Sequence, residues 1–451
     1  MKQVIVNMVW GNNLQTGYRV PIFGGLPEEG VDVDKTFVVP ENGIFRNLVI
    51  KDDIDGAEWT LYTVATNNTK TPTDIVATSV NQLAVSLQEA TVAAGDLVVL
   101  ERSAGGVRTE IGTSSVSMSI EFETTGSTSV SIYGNGAARS ANTGAGGAFG
   151  GHGVGGGGAT PGAAVGNYVT LTPIAGNVTK LVMAAYFDWF NPFPNPPYTP
   201  SPADTWFEGV LVTYDPVTEA STVHDGSGGT TDTRTRVTYA ANGWNIVTST
   251  FSVAVAVGTL ADIYVTTNNG AAVFLPATMH SVSFTADVPG RFILAGSNQT
   301  HDLHATGEYG AIPGWWESNE RGVQGAYNWS GVSSFRIGGL AFYNGGWGGG
   351  TTELTLMKNG SVPANAPTVT LEDGASCYEV DADTSHLVRI DYGDYFSTRA
   401  TPPSDYVTQM HWSFFGQVVG AALGEPIQIL STHKKWAIQR FDMKIRREER
   451  S

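Results

Sequence analysis

At 451 residues the chain is longer than one ordinary core organises and suits about three domains of roughly 100 to 150 residues each. Charged residues make up 15% of it, against a usual share of about 25%, and the net charge is −17. A groove that tracks phosphates needs a concentrated Lys and Arg surface, so nucleic acid is excluded as a partner. The lone Cys377 excludes an internal disulfide framework, and no run approaches the roughly 18 to 20 apolar residues that span a bilayer.

The start, MKQVIVNMVWGNN, breaks into Asn, Trp and Gly before an apolar stretch of signal-peptide length forms. It reads as a strand with no signal peptide, and synthesis in the cytoplasm of the host cell is expected. Pro21, Gly24, Gly25, Pro27 and Gly30 forbid regular helix in the arm that follows. The arm and a first module occupy 1–126. Strands are predicted near 36–40, 45–50, 58–65, 73–79, 83–87, 97–102 and 116–123, divided by Gly, Asn and Asp turns, which is the pattern of an antiparallel sandwich or jelly roll. In the last of them Val116, Met118, Ile120 and Phe122 alternate.

Parts of this module recur. Pro40-Glu41-Asn42-Gly43 leading to Leu48-Val49 returns as Pro173-Ile174-Ala175-Gly176 leading to Leu181-Val182, the pattern P-x-x-G-x-x-x-x-L-V. The closing VAAGD at 92–96 returns as Ile390-Asp391-Tyr392-Gly393-Asp394 and, more loosely, as Val255-Ala256-Val257-Gly258-Thr259. Proline suits a strand start because it lacks a ladder donor, and glycine allows a tight turn. Recurrence of several elements in one order predicts repeated modules.

A glycine-rich segment occupies 127–166. Gly144, Gly147, Gly150, Gly153, Gly156 and Gly162 share a three-residue register, the polyproline II period, so the tract is read either as a packed extended path or as a flexible linker. Phe149 is its candidate contact residue. The second module is placed at 167–296. It carries the insertion DWFNPFPNPPYTPSP at 188–202, whose alternate prolines enforce a stiff loop presenting Trp189, Phe190, Phe193 and Tyr198 either for recognition or to a neighbouring subunit. A polar, turn-rich insertion follows at 224–235.

An aromatic-rich bridge, 297–330, contains Trp315 and Trp316 beside Glu317 and Glu320, which suggests a carboxylate pair, a sugar platform or plain packing. His301, His304 and Glu308 offer ligand types for a divalent metal, but a three-residue spacing on a strand puts the histidines on opposite faces, so no metal site is assigned. The third module is placed at 331–418, with ELTLMKNG at 353–360 reading as strand and hairpin turn. The tail, 419–451, concentrates Lys434, Lys435, Arg440, Arg446 and Arg447 and alternates apolar residues like a strand. It is read either as a solvated face or as an anchor for an acidic partner.

Motifs for phosphate loops, nucleophile elbows, HExxH zinc sites and CxxC pairs are absent from the sequence, and no catalytic residue or cofactor is assigned. The expected fold class is all-β: tandem antiparallel β-sandwich, jelly-roll-like modules with a glycine-rich insertion. With its Pro/Gly strand openings, Asn-Gly hairpin, Gly-Asp turns and glycine tract, the chain resembles virion structural proteins of tailed bacteriophages built from tandem jelly rolls, most of all head-decoration and fibre proteins. The resemblance implies a non-enzymatic virion component that forms a homotrimer, attaches to other virion proteins and contributes to host-surface attachment, with a surface glycan as target. The competing expectation is a carbohydrate-binding or carbohydrate-active β-sandwich protein.

Overall fold

The computed structural model describes residues 1–419 except 13–15, 18, 21, 23–35, 53, 106–112, 128, 139–144, 149–153, 157–169, 188–204, 216–217, 219, 268–276, 296–299, 304–306, 310–325, 328–333, 345–350, 372–376, 382–385, 392–393 and 402–405. The described residues are built from antiparallel strands, with a single 3-10 turn at Ser227–Gly229.

Strand pairing divides the chain into three sets with one topology. In the first, Lys2–Asn12, Thr113–Thr124, Gly43–Lys51 and Leu83–Val92 form one sheet in that order. The facing sheet joins Phe37–Val38 and Arg19–Val20 to Leu97–Ala104, then Glu58–Val64, then Lys70–Val80. With eight strand positions numbered along the chain, one sheet runs 1-8-3-6 and the other 2-7-4-5, which is the jelly roll.

The second set repeats this order with Val130–Ala138, Ala277–Ala286, Gly176–Phe187 and Gly243–Val255 in one sheet. Its other sheet places Ala145–Ala148 beside Leu260–Thr267, then Trp206–Asp215, then Ala220–Val223 and Thr235–Thr238. The third set has Arg291–Ala295 and Thr300–Leu303, Tyr406–Val419, Ser334–Asn344, and then Cys377–Asp381 and Val388–Ile390. Opposite lie Gly307–Tyr309 and Ala326–Tyr327, Tyr395–Thr401, Thr352–Lys358 and Thr368–Leu371.

Pairing therefore sets the module limits near 1–124, 130–286 and 291–419, which corrects three expectations. Part of the glycine-rich segment is no linker between modules, because Val130–Ala138 opens the second jelly roll and Ala145–Ala148 is a strand within it. Nor do Ala145–Ala148 and Val154–Gly156 follow a polyproline II path: they pair with each other, and the former pairs with Leu260–Thr267, so their amides enter a ladder rather than solvent. The bridge likewise holds strands of the third module.

The repeated sequence elements fall on equivalent structural positions. The turn between the sixth and seventh strands is Ala93–Asp96 in the first module, where Asp96 N donates to Ala93 O at 3.1 Å and the Asp96 carboxylate accepts from Ala93 N at 2.8 Å. In the third module Asp394 N donates to Asp391 O at 3.0 Å and its carboxylate accepts from Asp391 N at 2.7 Å. The second module has Thr259 there, donating from N to Ala256 O at 3.2 Å. This turn is gripped from the second-strand side: Gly95 and Asp96 exchange bonds with Val39 as Gly258 and Thr259 do with Thr172.

Candidate functional site

The stretch leading into each third strand positions the surface on which the modules meet. Gly43 and Gly176 pass directly beneath the rings of Phe122 and Phe284, where any side chain would overlap the ring. Past a β-bulge, Leu48 and Leu181 point into their own sandwiches, while Val49 and Val182 point to the outer face. Both valines are fully buried, and opposite them on the eighth strands stand Ser119 and Ser281, fully buried as well. A buried outer face needs a cover, and small serines let that cover come close.

In the second module the cover is the first module. Val38, Val64, Leu97 and Val99 on the outer face of the first module pack against Val182, Ala184, Met279 and Trp244 of the second. Polar contacts frame this apolar centre. Lys180 Nζ pairs with Glu41 at 2.8 Å and donates to Pro40 O at 2.9 Å, and Ser283 donates to Glu41 at 2.6 Å. Beside it, the ring of Phe37 occupies the space that a side chain on Gly134 would take. Gln3 exchanges two hydrogen bonds with the backbone of Ile132, at 2.7 and 2.8 Å.

The same relationship continues around the molecule. Each module sends the second-strand piece just before its third strand onto the next module: Phe37–Val38 onto the second, Thr170–Leu171 onto the third, and Ala326–Tyr327 onto strands Lys2–Asn12 and Thr113–Thr124 of the first. The three modules thus close a cycle, with one hydrophobic cluster running through all of them. Tyr133 ties the second to the third: its hydroxyl accepts from Ile293 N at 2.5 Å and donates to Ser131 Oγ at 2.8 Å. Burial raises the Tyr133 hydroxyl well above its ordinary range, so it stays protonated and able to donate.

The polar insertion at 224–235 is a surface loop between the two pieces of the fifth position, closed by a bridge between Asp225 and Asp232. Ser227 holds Asp225, and Arg234 holds Asp232, below the ordinary carboxylate range. His224 bonds Thr213 at 2.9 Å, and burial lowers its pKa. Arg236 pairs with Glu208 at 2.8 Å while lying 4.1 Å over the Trp206 ring. These charges serve one another.

The aromatic and basic residues singled out from the sequence, Trp189, Phe190, Phe193, Tyr198, Phe149, Trp315, Trp316, Lys434, Lys435, Arg440, Arg446 and Arg447, lie outside the described residues, as do His304, Glu317 and Glu320. His301 sits on the strand opposite Thr408 and Glu308 opposite Arg399, so their strands belong to different sheets. Among the described residues no group of three His, Cys, Asp or Glu side chains could hold a metal, and no helix is long and apolar enough to cross a membrane. Sequence reasoning saw the Leu-Val pairs but missed the serines facing the valines. The readable signal was serine on the alternate positions of SVSMSI and SVSF.

No family model matches the chain, and no curated protein matches it. Among solved structures it aligns at 10% identity, over 92% of its length and 91% of the other chain, with one described as "The Triple Jelly Roll Fold and Turret Assembly in an Archaeal Virus", at a TM-score of 0.18. It aligns at 8% identity, over 93% of its length and 81% of the other, with "Structure of infectious bursal disease virus Gx strain", at a TM-score of 0.16. Scores this low carry no argument about the present chain, and its architecture rests on its own strand pairing.

Proposed function

We propose that the chain is a non-enzymatic virion structural protein, a capsid decoration or fibre component of a tailed bacteriophage that assembles with its own copies and with other virion proteins. The observation that carries this reading is the closed cycle of three jelly rolls. Such modules recur in viral shells, lectins and cupins, and here, among the described residues, their side-by-side faces pack on one another. The low share of charged residues supports the same reading. In it, copies of this three-module chain assemble with one another, the homotrimer being the expected form. The basic run from Lys434 to Arg450 supports anchoring to an acidic neighbour.

The test is the protein's place in an electron-microscopy map of purified particles, with occupancy compared for the Arg446→Glu/Arg447→Glu variant. Density for the three modules on the particle, reduced in the variant, is the expected result. Absence from particles combined with binding on a glycan array would move the assignment to the lectin class.

A further inference from the structure

Three strands of the first module bring an amine, a carboxylate and a carboxamide together. Glu121 lies on Thr113–Thr124, the middle strand, between Lys2–Asn12 on one side and Gly43–Lys51 on the other. Ile120 and Phe122 turn into the core, so Glu121 turns to the outer face, where it is fully buried. Lys2 Nζ stands 3.4 Å from Glu121 Oε2, and Asn47 Nδ2 donates to that same oxygen at 2.9 Å. The bulge aims the asparagine: Asn47 has φ of 53°, at the point where the register against Thr113–Thr124 shifts between Arg46 and Val49. Glu123, directly across from Lys2, holds Arg46 at 2.6 Å.

The jelly roll is built without this group. Counting from the buried serines of the eighth strands, Ser119, Ser281 and Ser413, the place of Glu121 is taken by Ser283 in the second module and by Phe415 in the third. The residue before the inward leucine, Asn47 here, is Lys180 in the second module and Gly339 in the third, and the place of Lys2 is taken by Val130 and Arg291. Nor does stability explain the group, because the desolvation of a buried ion pair can exceed what its attraction returns.

We propose that Lys2 and Asn47 join in an intramolecular isopeptide bond, with Glu121 carrying the protons. The Lys2 ammonium first passes a proton to Glu121, which leaves two neutral groups in a place where charge is costly. The amine lone pair then attacks Asn47 Cγ and forms the Nζ–Cγ bond. Glu121 gives its proton to Nδ2 and takes one from Nζ, and the Cγ–Nδ2 bond breaks with its electron pair going to nitrogen. Ammonia leaves and takes the proton left on Glu121, departing as ammonium. One amide replaces another, so the step needs no oxidant and no second reactant. Strands flanking a common neighbour lie about 9 to 10 Å apart, a gap that a lysine and an asparagine side chain joined end to end can cross. Both reacting groups already lie against one oxygen. The bond ties the first strand to the third across the eighth and constrains the unfolded chain as a disulfide does, in a chain whose lone Cys377 can form none internally.

The test is the mass of the purified full-length protein, and it does not depend on where the protein works. The chain is expected to be lighter than its sequence by one ammonia, and a trypsin digest to hold residues 1–19, uncut after Lys2, joined to residues 47–51. Lys2→Arg keeps the charge, Asn47→Gly keeps the left-handed backbone, and Glu121→Gln removes the proton carrier. Each is expected to show the full mass of its own sequence with unchanged circular dichroism, and Lys2→Arg to unfold at a lower temperature than the parent. A parent of full mass without the joined peptide would overturn the proposal whether or not the variants fold. So would a mass deficit that survives Lys2→Arg, which marks ring closure at an asparagine such as Asn42 before Gly43. A Glu121→Gln variant that forms the bond as fully as the parent would overturn the role of Glu121 and the proposal with it.

Discussion

The backbone nitrogen of Trp244 donates to the carbonyl oxygen of Thr66 at 2.6 Å, fastening a turn of the first jelly roll onto the sixth strand of the second. The neighbouring Gly243 has φ of 103° and lies against that same oxygen, so a side chain there meets both backbone strain and overlap. Gly243→Ala is expected to destabilise the protein by roughly 2 to 4 kcal/mol. Urea unfolding would measure it, and a variant as stable as the parent would refute the tight fit.

Gly43→Ala and Gly176→Ala should each cost about 1 to 3 kcal/mol by forcing aside Phe122 or Phe284 together with the neighbouring carbonyl of Glu123 or Thr285. Shortening the ring partner tests the cause. Phe122→Leu should recover part of the loss in Gly43→Ala and none in Gly176→Ala, and a rescue of both alike would point to a general effect.

The ion pair between Lys180 and Glu41 joins two modules at a half-buried site, with Ser283 donating to the same carboxylate. A double-mutant cycle with Lys180→Ala and Glu41→Ala is expected to give a coupling near 1 kcal/mol, which high salt lowers only in part. Strict additivity of the two changes would mean that hydrophobic contact alone holds this interface.

Acid should loosen the third module through Asp391. Burial pushes its carboxyl up, but donation from Ser334 at 2.6 Å and from Arg389 at 2.7 Å outweighs burial and leaves it below the ordinary 3.8. A carboxylate depressed in the folded state stabilises above its unfolded pKa and loses that contribution as pH falls through the folded one. The loss therefore begins near pH 4 and grows below it. Unfolding midpoints followed from about pH 5 to about pH 2 should fall less steeply in Asp391→Asn, and identical slopes would exclude this carboxylate.

What could be read from the sequence was local chemistry that repeats. Pro40 and Pro173, Gly43 and Gly176, and the aspartates of the two Gly-Asp turns announce themselves because a ladder lacking a donor, a close ring and a tight turn each demand one residue type. Strand alternation in 113–124 was equally plain, since one of its faces is deeply apolar. The cycle was not legible, because Val182 looks like an ordinary strand residue until the first module lies on it. Ser119 and Ser281 look like residues facing water, although they face protein. The glycine strand at 145–148 misled for a related reason: without side chains it has no alternation, and only its partner Leu260–Thr267 identifies it as a strand.

The cycle also changes what the order of modules along the polypeptide means. Each jelly roll grips the following one with the same short segment, and the third returns to the first, where Tyr406–Val419 lies beside Lys2–Asn12. Geometrically no module is first or last. The reading direction of the gene is one cut through a circle, and a chain permuted to begin at the second or the third module would write the same circle from another starting point.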